Sequence, residues 1–94
     1  MGYYTPLQIR KLERLYYNGD LKGVRVIHDE YGEGIVDGMS GDGYLYITFP
    51  YAEDPLRRKS ALFYHDDKLR FPDLEIWFFL HLLIVLFSIV RNYK

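Results

Sequence analysis

The chain has 94 residues and a mass of 11.3 kDa, enough for one domain, and its 49% hydrophobic and 27% charged residues are a globular composition rather than a disordered one. It has no Cys, which removes disulfides, thiolate zinc sites and cysteine nucleophiles together. A net charge of −1 removes the general case for a polyanion partner.

That near-neutrality is a cancellation of patches. Residues 1–22 hold four bases and two acids, residues 23–56 one base and seven acids, residues 57–72 five bases and two acids, and residues 73–94 two of each. Thr5-Pro6 opens the first element, because Thr caps a helix N-terminus and Pro is tolerated at the first helical position. Ile9, Leu12, Leu15 and Tyr16 recur at helical spacing, and Asn18-Gly19 supplies a left-handed stop, which predicts a short amphipathic helix within residues 1–20. Its apolar stripe packs on the next domain; the alternative is a basic helix laid on phosphates or an anionic membrane surface through Arg10, Lys11 and Arg14.

From Leu21 the period changes to two. Val24, Val26 and His28 alternate, Tyr31-Gly32-Glu33-Gly34 predicts a turn, Ile35-Val36 resumes extended chain, and residues 37–43 read as a loop. Tyr44 to Phe49 puts Leu45, Ile47 and Phe49 on one face and Tyr44, Tyr46 and Thr48 on the other. Pro50 and Pro55 bracket a loop, Arg58 to Tyr64 makes a fourth strand, His65-Asp66-Asp67 its turn, and residues 68–76 a last short strand or turn. The fold class is therefore mainly β with helices. Residues 21–76 predict a barrel of about five strands, since closure removes exposed edges.

The run from Gly23 to Val36, with Leu45-Tyr46-Ile47-Thr48-Phe49 after it, resembles the SH3-like or Tudor-like small barrels at the C-terminus of UvrD/PcrA helicases and in CarD-like proteins. The shared pattern is V-x-H, an aromatic, G-x-G-x-V, a glycine loop and an alternating strand ending in Phe. It covers about residues 22–76. The resemblance implies a protein-binding module, often directed at RNA polymerase, without catalysis. The residues themselves agree: Gly32-x-Gly34 is not a phosphate loop, because G-x-G-x-x-G followed by a helix is absent, position 37 being Asp. His28, with Asp29 and Glu30 beside it, reads as a structural, hydrogen-bonded histidine, since adjacent residues on a strand point to opposite faces. His65-Asp66-Asp67 reads as a turn with solvated carboxylates, one His-Asp pair being too few ligands for a metal. The expectation is no enzyme, no cofactor and no metal.

Two surface groups stand out as contact residues. Arg57, Arg58 and Lys59 make a basic edge, and Tyr44 and Tyr46 project from the outer face. Stacking plus phosphate contact would suit single-stranded nucleic acid, but the acidic run from Asp29 to Asp54 opposes it, and protein contact is the favoured use of exposed Tyr and Arg.

Residues Ile76 to Val90 carry only His81 and Ser88 as polar side chains. They predict a hydrophobic C-terminal helix, placed over 77–94; the 15 residues of the run itself, 76–90, leave no wet face and span about 22 Å, the short limit for a bilayer core of about 30 Å. Its Ile, Leu, Val and Phe residues favour insertion by roughly 4 to 7 kcal/mol before His81 and Ser88 are counted. A barrel of this size covers one face of such a helix, so the other faces need lipid, a partner or further copies. Trp77, Phe78, Phe79, Leu83 and Phe87 are the membrane or oligomer contacts. The excess of Lys and Arg before the run predicts the barrel on the cytoplasmic side, and the absence of an apolar N-terminal region predicts no signal-directed export. The reading is a membrane-held, non-enzymatic adaptor. The alternative is a soluble cytoplasmic regulator, such as a phage-type inhibitor of a nucleic-acid enzyme, its apolar end buried in a homo-oligomer or a partner groove.

Overall fold

The structure, a computed structural model, describes residues 2–76. Helix α1 (Pro6–Asn18) begins where the sequence signals place it: the Thr5 hydroxyl accepts from the Gln8 amide, the Gln8 side chain accepts from the Thr5 amide at 2.9 Å, and Pro6 occupies the first turn. It ends at Gly19, whose φ of +80° only glycine adopts without strain. Leu12 and Tyr16 are buried, and Ile9 and Leu15 flank them on the same stripe.

Five antiparallel strands follow: β1 (Arg25–His28), β2 (Gly32–Met39), β3 (Tyr44–Thr48), β4 (Lys59–Phe63) and β5 (Leu69–Arg70), with a 3-10 turn at Pro55–Arg57 before β4. They form one sheet in the order β4-β3-β2-β1-β5, curled into a half-barrel. The concave side carries the inward residues of the alternation, Val26, Val36, Leu45, Ile47 and Leu69. Phe49, Phe71 and Leu21 complete the core beneath Leu12 and Tyr16.

Three departures from the sequence reading have physical causes. First, Gly32 and Gly34 lie inside β2, paired with His28 and Val26, and the turn is made by residues 29–31. A Cβ on Gly34 would sit 2.6 Å from the Phe49 ring and 2.8 Å from the Thr48 carbonyl, so this glycine serves close strand packing. Second, β2 runs on to Met39 past an irregularity between Val36 and Gly38, which shortens the loop to 40–43. Third, the described strands stop short of closure: β4 and β5 are the two edges. β5 is two residues long, and Pro72, which has no amide to donate, opens the helical turn over 72–76.

The expected apolar helix over 77–94, with Trp77, Phe78, Phe79, Leu83 and Phe87, lies outside the described residues. Among those described, no helix is long and apolar enough to cross a membrane.

Candidate interaction face

Strand alternation brings Tyr44 and Tyr46 to the convex face, and register decides what they meet. Tyr44 lies opposite Phe63 and Tyr46 opposite Ala61. The Tyr44 and Phe63 rings stack at 4.2 Å between centres, and the Phe63 and His65 rings at 5.4 Å. The result is a ladder of three parallel rings, with Phe63 41% exposed. Tyr46, 49% exposed, has the small Ala61 beside it, and the step between them opens a shallow cleft of about 170 Å³ that Asp37 and Lys59 also line. Aromatic rings fixed on a rigid sheet lose little side-chain entropy on contact, which is the property of interface anchors.

The three consecutive bases do not act together. The 3-10 turn sends them in different directions. Arg57 stands over the Tyr31 ring, its guanidinium carbon 5.9 Å from the ring centre. Arg58 turns back and donates from Nε to the Ala52 carbonyl at 3.1 Å. Lys59 points onto the convex face, where Nζ donates to the Thr48 hydroxyl at 2.7 Å and lies 3.7 Å from the Asp37 carboxylate. A continuous phosphate-tracking stripe needs bases along one line, and Arg58 is occupied by the backbone while Lys59 is neutralised by Asp37.

His28 takes a role the sequence reading names only in outline. It is 4% exposed on the concave side of β1, and its Nδ1 accepts from the amides of Glu30 at 3.0 Å and Tyr31 at 3.3 Å. Tyr31 then stacks flat on the imidazole at 4.1 Å, and Phe49 meets both rings edge-on. The imidazole thus works as an acceptor that folds the turn, and burial holds its pKa below the ordinary histidine value, against the opposing fields of Asp66, Glu30 and Asp29. His65 is in a turn, as its sequence predicts, but it also extends the aromatic ladder.

Sequence reasoning missed a second cluster, made by tyrosine hydroxyls. Tyr16 donates to the Ser40 carbonyl and accepts from the Gly43 amide at 2.7 Å, so α1 holds the β2–β3 loop. Its ring stacks on Tyr64 at 5.1 Å, and the Tyr64 hydroxyl donates to Glu13. Tyr4 accepts from the Phe71 amide at 2.6 Å and donates to Glu75 at 3.0 Å. Partners 24 to 71 residues away leave no local pattern to read. A cleft of about 340 Å³ lies between Gly2, Tyr3 and Tyr4 on one side and His65, Asp66 and Asp67 on the other. Among the described residues no group of three His, Asp or Glu is arranged to hold a metal ion.

Compared with protein-family models, with curated proteins and with solved structures, the chain matches none.

Proposed function

We propose that the chain is a non-enzymatic protein-binding adaptor or regulator, an SH3/Tudor-like half-barrel whose convex face contacts a protein and whose apolar segment, residues 76–90, holds it at a membrane with the half-barrel on the cytoplasmic side. The observation that carries the protein-contact reading is the ladder Tyr44, Phe63 and His65 with Tyr46 beside it: outward-facing aromatics, Tyr44 half-buried and the others exposed, that the core does not need. A curled five-stranded antiparallel sheet is compatible with the SH3-like pattern. The anchor rests on the apolar run itself, which the small core is too limited to cover on all sides.

The test uses the full chain as bait. Tyr46→Ser with Phe63→Ser is expected to lose the captured partner while the melting temperature stays within a few degrees; capture unchanged by this pair would overturn the face. Truncation after Glu75 is expected to move the protein from the membrane pellet to the soluble fraction. Full-length protein that stays soluble without detergent removes the anchor and leaves the soluble regulator.

A further inference from the structure

The β4 edge has a geometry that the contact face does not use. Tyr64 donates its amide to the Gly43 carbonyl and Phe49 donates to the Arg58 carbonyl, so the residues of this strand that bond β3 are the even-numbered ones, 58 to 64. In an antiparallel ladder the alternate residues direct their N–H and C=O the other way. Lys59, Ala61 and Phe63 therefore turn their amides and carbonyls outward. Among the described residues, only the Phe63 carbonyl has a backbone partner on that side, the Asp66 amide at 3.0 Å. All three side chains are exposed, and Ala61 at the centre is the smallest.

We infer that this edge pairs with the same edge of a second copy, antiparallel about a twofold axis at Ala61. Ala61 then faces Ala61 of the second copy, and Lys59 faces Phe63. The central pair exchanges two backbone bonds and each flanking pair one, from the Phe63 amide to the Lys59 carbonyl, since the Phe63 carbonyl already accepts from Asp66; about four bonds in all join two five-stranded sheets into one. The charge along the strand selects this occupant and this direction. The N-terminal end carries the exposed Arg57, the base that neither the backbone nor Asp37 occupies, and the C-terminal end runs into Asp66 and Asp67. Antiparallel pairing sets the basic end of one copy against the acidic end of the other, whereas parallel pairing sets like against like. The aliphatic stem of Lys59 also comes to lie beside the exposed Phe63 ring of the second copy. An edge lysine ordinarily deters such pairing; here Asp37, 3.7 Å away, offsets its charge. The inference does not rest on the protein-partner reading.

The chain lacks Cys, so one introduced thiol reports without background. Full-length Ala61→Cys, treated with a short bis-maleimide at micromolar concentration, is expected to give a covalent dimer at least about tenfold faster than Tyr51→Cys, whose position is 78% exposed and away from the axis. Arg57→Glu in the Ala61→Cys background is expected to slow cross-linking about tenfold, and adding Asp67→Arg to restore it. Equal, slow cross-linking at positions 61 and 51 in folded protein overturns the pairing. So does a dimer by sedimentation that position 61 fails to cross-link, which would place the contact in the apolar segment.

Discussion

The two edges of the sheet are finished differently. At the β5 edge, two residues of strand are followed at once by Phe71, buried and capped by the Tyr4 hydroxyl, and Arg70 pairs with Glu75 at 2.8 Å. Tyr3 reaches the Asp29 carboxylate over the same region, and the Arg70 guanidinium lies over the Tyr3 ring. The β4 edge has five residues, alternately exposed, with outward-facing amides and no covering segment among the described residues. Short strands and covering segments are how proteins prevent edge pairing. Among the described residues both devices are present at β5 and neither at β4, so β4 is the open edge of the described sheet.

The largest test of that contrast compares two phenylalanines. Phe71→Ala is expected to cost about 3–5 kcal/mol, because the ring is fully buried beside β5. Phe63→Ala at the other edge removes a half-exposed stacked ring and is expected to cost about 1 kcal/mol. Urea denaturation of both variants reads the difference, and equal losses would mean the β4 edge is part of the core. Tyr4→Phe keeps the ring but leaves the Phe71 amide without its acceptor, for an expected loss of about 1–3 kcal/mol by the same measurement. A loss near zero would show that Tyr4 covers the edge by its ring alone.

A smaller effect depends on pH. His28 is held neutral in the folded chain, with its pKa below the unfolded value of about 6.5. The unfolded state therefore binds the proton first. Stability is full above about pH 6.5 and falls as the pH drops from there toward the lower folded pKa. Thermal melts between pH 7.5 and 5.5 are expected to show this slope, and His28→Asn, which keeps an acceptor for the Glu30 amide, to flatten it. An unchanged slope in the variant would assign it to other groups. Smallest of all, Lys59→Ala removes an exposed ion pair and is expected to change stability by less than about 0.5 kcal/mol. A change above 1 kcal/mol would mean the pair stabilises the edge in the monomer.

What the sequence discloses follows the range of each interaction. Thr5-Pro6 and Asn18-Gly19 act within one helical turn, and the structure places the helix ends at these signals. Alternation in residues 44–49 separates Leu45, Ile47 and Phe49 from Tyr46, and the buried set is the same three. Gly32 and Gly34 mislead for a reason visible only in three dimensions: the turn before them is folded by a side chain, His28, and Gly34 answers to a ring fifteen positions later. Tyr44 and Tyr46 are legible as outward-facing, but the ladder needs Phe63 and His65, which register alone brings beside them. Arg57, Arg58 and Lys59 look like one patch in sequence because the 3-10 turn that separates them is short.

The Tyr4 hydroxyl, bonded to both Phe71 and Glu75, also has a mechanical meaning. Any load applied to the chain beyond residue 76, by a membrane or by a bound protein, arrives first at the Arg70–Glu75 pair and this hydroxyl. β5 pairs with β1 at only two positions, the shortest ladder of the sheet, and so is the first to open when the chain after it is pulled. Through Tyr4, the N-terminal segment thus ties the end of this short strand to the body of the fold.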